Sequence, residues 1–282
     1  MNCSTHIAMT KDVLVALGWP GDKNLVARQA AFPDEVEAVA VERFGFHVIG
    51  KNLASLCHFD DGKTNGYCWK RDRSVPRIDL SSVKVIPHPE NWGVELKHEQ
   101  DEPLTMLVKA LTNHATIQAD EITYPCSHTM ATWAFAVMAD RVKAAAAGDH
   151  QAQMLVEDSC GWVFHFVQDA GVPHHQMRVL LDGHAAFEGD VDEQYKRMVG
   201  TGEVADLVET LVRADNAPAS LTVRELVERA ARSSASSPRR MCWRRWFWRR
   251  GWNQAVRACV VRNLTNSVIA GKLMQRTIWG EV

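Results

Sequence analysis

Apolar side chains recur at three- and four-residue intervals along most of this 282-residue chain, and stretches of strict alternation are scarce. That period places the apolar positions on one face of a helix, so the pattern predicts an all-α fold, a multi-helix bundle in a single domain. Helices are expected over 6–17, 34–44, 103–115, 128–147, 153–170, 184–198, 203–214, 222–233 and 253–275. Local chemistry supports several ends. Ser4 or Thr5 is suited to cap the first helix, which stops at Gly18 before Pro20; Gly148-Asp149 closes the alanine-rich helix; and Thr222-Val223-Arg224-Glu225 reads as a capping box. Between Phe59 and Trp92, glycines 62 and 66 and prolines 76, 87 and 89 break any long helix, leaving a long loop with room for short strands. The serine-rich stretch 233–238 reads as a linker. It divides a core, 1–232, from a basic, tryptophan-rich segment and C-terminal helix, 239–282.

One stretch carries most of the chemistry. In HFVQDAGVPHHQMRVLLDGHAAFE, residues 165 to 188, His165 and Asp169 stand four apart, as do His184 and Glu188, with His175 between them. Residues four apart share a helix face, so each pair converges on one point. Imidazole and carboxylate are the donors of catalytic zinc. A lone histidine on an apolar helix face is ordinarily a core residue. Two spaced pairs beside Trp162, Val163, Phe164, Phe166 and Val167 are harder to dismiss, because burying several ionisable groups there is costly unless a cation compensates them.

The segment resembles the zinc-dependent phospholipase C and fungal single-strand nuclease superfamily, all-helical phosphoesterases with three zinc ions. The likeness rests on His165-x-x-x-Asp169, the Pro173 turn leading to His175, and His184-x-x-x-Glu188. His174 competes with His175, which the family spacing favours; the gap from His175 to His184 is shorter than usual in the family. The resemblance implies further ligands upstream: His6, Asp34 in Ala31-Phe32-Pro33-Asp34, and His58 in Cys57-His58-Phe59-Asp60. His47 fits the spacing from Asp34 better and the local pattern worse. The last implied donor is the first residue, Met1, through its amine and carbonyl, five residues before His6. On this map Asp34, His58, His165 and Asp169 hold one zinc. Asp169 bridges to a second, held by Met1 and His6, while His175, His184 and Glu188 hold the third.

The activity so implied is hydrolysis of a phosphodiester, first of all a glycerophospholipid cut to diacylglycerol and a phosphorylated head group. Asp34 would orient or deprotonate the attacking water. Glu35 and Ser55 stand where aromatic residues line the choline site of the best-known phospholipases, so choline specificity is not expected. Two other readings remain open. One is a single-strand nuclease or nucleotidase, with Tyr67, Trp69 or the tryptophan-rich run stacking on bases; the other is a non-catalytic helical protein with structural zinc.

Composition narrows the partners. The net charge of -2 argues against a surface that coats nucleic acid at large. Seven cysteines, at 3, 57, 68, 126, 160, 242 and 259, include no CxxC pair and define neither a disulfide framework nor a thiolate metal site, so free buried thiols are expected. No apolar run of about 18 residues predicts a membrane span, so lipid contact would be peripheral. The run RRMCWRRWFWRRGW, 239–252, suits an anionic lipid surface or a nucleotide stack, although its arginines do not separate from its aromatics on a helical wheel. Val13–Leu17 is too short for a signal-peptide core: the resemblance implies secretion, and a natural start at Met1 would imply the cytoplasm.

Overall fold

From Cys160 to Val167 the chain is apolar on every side of a helix apart from His165, and a helix of that kind has to be enclosed by others. A computed structural model, which describes residues 1–34, 67–70, 116–118, 121–124, 127–177, 183–235 and 249–280, has that arrangement. The elements in chain order are α1 (Cys3–Ala16), α2 (Lys23–Gln29), β1 (Tyr67–Lys70), β2 (Thr116–Gln118), β3 (Glu121–Tyr124), α3 (Ser127–Ala146) and α4 (His150–Asp169). They continue with α5 (Pro173–Met177), α6 (His184–Gly200), α7 (Glu203–Arg213), α8 (Val223–Ala235) and α9 (Arg249–Trp279). Helix α4 is the axis: every residue from Asp158 to Asp169 is buried, and α3, α2, α9, α1 and α8 pack around it.

The fold is mostly helical, as the periodicity predicts, and it includes a small antiparallel sheet in the order β1-β3-β2, with Tyr67 opposite Tyr124 and Ile117 opposite Ile122. Only β1 falls in the region where short strands were expected. The expected helices 103–115 and, beyond Asp34, 34–44 lie outside the described residues, as do most of 59–92 and the run 239–248.

Several helix ends follow their local chemistry. Asp22 caps α2 by accepting from the amides of Asn24 and Leu25, and Asp149 caps α4 by accepting from Ala152. Thr222 and Glu225 close a reciprocal box at the start of α8, each side chain taking the other's backbone N–H. The start of α1 is different. It begins at Cys3, three residues before the sequence suggests, with Asn2 rather than Ser4 or Thr5 at the cap position. The Asn2 and Thr5 side chains are engaged elsewhere, on Asp192 of α6. Helix α2 escaped the sequence reading because seven residues are too few to display a period.

At the other end, α8 runs through Ala235 and so takes in the first three residues of the stretch read as a linker. Ser234 is fully buried there and donates to the carbonyl of Ala170. Trp252, the last aromatic of the arginine-rich run, is also a core residue. Its indole is 3% exposed and donates to Asp190 at 2.6 Å, so it presents no face to lipid or nucleotide. No described helix is long and apolar enough to cross a membrane.

Candidate metal centre

Helix α4 sets His165 and Asp169 one turn apart, with His165 Nε2 3.0 Å from Asp169 Oδ2. The other ring nitrogen, Nδ1, lies 2.8 Å from the carbonyl oxygen of Ala30. A carbonyl only accepts, so Nδ1 carries the hydrogen. Gly161, one turn earlier on α4, permits this contact: a Cβ there would stand 2.6 Å from the Val26 carbonyl oxygen and 2.7 Å from the backbone of Gln29. The missing side chain lets α2 lie directly on α4 and brings Ala30 to the histidine.

His6 is held in the same way from α1. Its Nδ1 meets Gln168 Oε1 at 2.7 Å, while Gln168 spends its amide N–H groups on the Thr10 and Ser267 hydroxyls. His6 Nε2 then points to Asp169 Oδ1 at 3.4 Å, is buried, and has no hydrogen-bond partner. The two imidazoles stack with centroids 4.4 Å apart. Asp34 completes this side, its carboxylate oxygens 3.9 Å from His6 Nε2 and 3.8 Å from His165 Nε2, with the Cys3 thiol at 3.6 Å.

A second group lies beside the first. The turn after α4 leads through Pro173 to His175, and it is clamped from outside: Ser234 donates to the Ala170 carbonyl, and Arg262 and Cys259 donate to that of Gly171. Gly183, at φ 77°, turns the chain into α6, which sets His184 and Glu188 one turn apart. His175 Nε2 and His184 Nε2 are 3.0 Å from each other, and 3.3 and 2.9 Å from Glu188 Oε1. His175 Nδ1 is 3.8 Å from Asp169 Oδ1, so Asp169 faces both groups.

His175, not its neighbour, therefore reaches the acidic side chains. His174 is buried, stacked parallel to His184 and against Phe187, with neither ring nitrogen hydrogen-bonded. Met1 reaches the site as well, its buried amine 2.5 Å from Glu188 Oε1. His58 and His47 lie outside the described residues.

Electrostatics follow from this crowding. Burial lowers the pKa of His165 and outweighs the carboxylates of Asp169 and Asp34, which raise it. It takes His175 down to about 4 against the pull of Asp169 and Glu188, and His174 down to about 3 with His184 and His175 adding to the effect. The Met1 amine moves the other way: burial opposes its charge, but Glu188, Asp169 and Asp34 together push it up to about 11. Glu188 is held well below the ordinary carboxylate range; burial works against this, and the Met1 ammonium with His175 and His184 overcomes it.

These donors fit a cation. A neutral His165 with its hydrogen on Nδ1 presents a bare lone pair at Nε2, 3.0 Å from a carboxylate oxygen that is also an acceptor. Two lone pairs facing each other repel unless a positive charge lies between them. Ligands about 2.0–2.1 Å from a tetrahedral zinc stand about 3.3 Å from one another. The contacts within the second group, 2.9 to 3.3 Å, and those of Asp169 with His165 and His6, 3.0 and 3.4 Å, match that spacing. The outward nitrogens of His6 and His165 are tied as those of metal-bound histidines are, which fixes the tautomer and aims the ring. Among the described residues, His6 with His165 and Asp169, and His175 with His184 and Glu188, are the two sets close enough to hold an ion.

The sequence singles out side chains that the fold brings together and misses what aims them. A backbone carbonyl such as that of Ala30 has no signature in a sequence; Gln168, adjacent to Asp169, has one only in retrospect. No family model, curated protein or solved structure matches this chain.

Proposed function

We propose that this chain is a zinc-dependent phosphodiester hydrolase, most directly a phospholipase C acting on glycerophospholipids. The observation that carries the reading is Asp169, whose carboxylate has the Nε2 atoms of His6 and His165 on one side and His175 on the other. One carboxylate shared by two donor groups is the arrangement that holds two cations about 3.5–4 Å apart, the spacing used to clamp a phosphoryl group. Zinc bound there would polarise the phosphoryl oxygens and bring the pKa of water towards about 7.

The chain's own residues do the rest. His6 and His165 are preset by Gln168 and Ala30, so binding demands little rearrangement. Asp34 is the acidic member of the first group that solvent reaches, its side chain 22% exposed, which suits it to orient the attacking water and accept its proton. In the second group His184 and Glu188 are partly exposed, and substrate would enter from that side. The preference for lipid over nucleic acid rests on the sequence pattern around Asp169, His175 and Glu188.

The test is metal analysis of protein expressed with ample zinc, together with assays on phosphatidylcholine vesicles, phosphatidylethanolamine vesicles and single-stranded DNA. No fewer than two zinc ions per chain on the two described donor groups, and three on the resemblance, are expected, with release of diacylglycerol lost on chelation and restored by zinc. Cleavage of DNA with both lipids untouched would replace the substrate, and a metal content near zero would overturn the reading.

A further inference from the structure

We infer that Asp192 is a positioning residue that pins the first turn of α1 to α6 and so sets the distance between the donor group of His6 and that of Glu188. The inference rests on the metal-binding reading above. Asp192 lies one turn after Glu188 on the same face of α6 and is 4% exposed. Its carboxylate accepts from Asn2 Nδ2 and from the Thr5 hydroxyl, the residue just before His6. A turn further on, the Tyr195 hydroxyl donates to Asp12 at 2.5 Å. With the Met1 amine on Glu188, these contacts make a ladder along α1 and α6, with a rung at nearly every turn.

The arrangement gives up local stability. Asn2 occupies the cap position of α1, where its side chain would stabilise the helix by accepting from its first amides, and it makes no such bond. Burial also raises the pKa of Asp192, against the Thr5 hydrogen bond and the nearby ammonium of Met1, so the environment is unfavourable to its charge. An apolar residue would satisfy packing alone with less penalty. What a carboxylate adds is direction, because two donors on α1 must meet its two oxygens in one register. That register sets His6 against Asp169.

The experiment is a zinc or cobalt(II) titration of the full chain followed by calorimetry and by the visible bands of bound cobalt. It compares wild type with Asp192→Asn and the milder Thr5→Val; His6→Ala and His184→Ala identify which class of site each group forms. Both test variants should weaken the class lost in His6→Ala by about tenfold to hundredfold and leave the class lost in His184→Ala within about twofold. Unchanged binding in both variants, or equal weakening of both classes in step with loss of helical signal, would overturn the positioning role. A wild type that binds no metal overturns the functional reading and this inference together, so the two failures are distinguishable.

Discussion

The two donor groups are built to different standards. In the first, His6, His165 and Asp169 are at most 1% exposed, and both imidazoles are aimed from behind by Gln168 and Ala30. In the second, His184 and Glu188 keep 16% and 18% of their side chains exposed, and the two imidazole nitrogens meet each other and one carboxylate oxygen. A closed, preset group suits permanent retention of an ion, whereas a group open on one side leaves room for water or substrate. On the proposed function the division lies between His6, His165 and Asp169, closed donors that would retain an ion, and the solvent-reached edge of Asp34 and the second group, where water and substrate would enter.

The most severe way to break this division is to neutralise the residue common to both groups. Asp169→Asn should remove more than one metal ion per chain by elemental analysis and lower phosphodiesterase activity by about three orders of magnitude. Loss of a single ion would show that Asp169 belongs to the first group alone.

The next effect lies at the joint between the groups in metal-free protein. The folded-state pKa of the Met1 amine, about 11, exceeds its ordinary value of 8.0, so its contribution is fully present below pH 8 and is lost as pH rises through 11. Three units at about 1.4 kcal/mol each set a ceiling of about 4 kcal/mol. Thermal melts between pH 8 and 11 should show the fall, and Glu188→Gln should flatten it. An equal slope in that variant would remove the ion pair as its cause.

Single deletions in the two groups should then differ. His165→Ala leaves a void and an unpaired Ala30 carbonyl inside the core, costing about 3 kcal/mol; His184→Ala, at a part-open position, should cost about 1 kcal/mol. Denaturant unfolding of the metal-free variants measures both, and equal losses would erase the contrast.

The smallest effect is a control. Asp158 is a buried carboxylate whose pKa is pushed up to about 6 by burial, with Arg141 and Arg28 opposing. Its folded-state pKa lies above the unfolded value, so the stability its proton confers is full below about pH 4 and gone once pH passes 6. Asp158→Asn should therefore gain about 1 kcal/mol at pH 8, after allowance for screening, and nothing at pH 4. Chelators should not alter that gain, since the cation beside Asp158 is the protein's own. A gain that vanished with chelation would tie Asp158 to the metal groups.

Much of the site was legible because helix geometry converts spacing into proximity. His165 with Asp169 and His184 with Glu188 needed only the i, i+4 rule, and the Thr222–Glu225 box needed only capping chemistry. The joining of His6 to Asp169 had to come from a resemblance, since no local rule connects residues so far apart. What stayed hidden depends on helices meeting: Gly161 reads as a weak point in an apolar helix until α2 is seen resting on it. Likewise, Ser4 and Thr5 looked like caps because a sequence does not reveal that Asp192 will recruit Asn2 and Thr5 from another helix.

The contact between Met1 and Glu188 spans 187 positions of the chain. During synthesis at roughly 5–20 residues per second, the first helix leaves the ribosome roughly 10–40 s before α6 exists to receive it. Over that interval His6 has no carboxylate partner from α4 or α6, and the apolar face of α1 has no α4 to cover it. The first group cannot close before α4 is made, nor the second before α6, and metal supplied earlier would meet His6 and Asp34 without those donors.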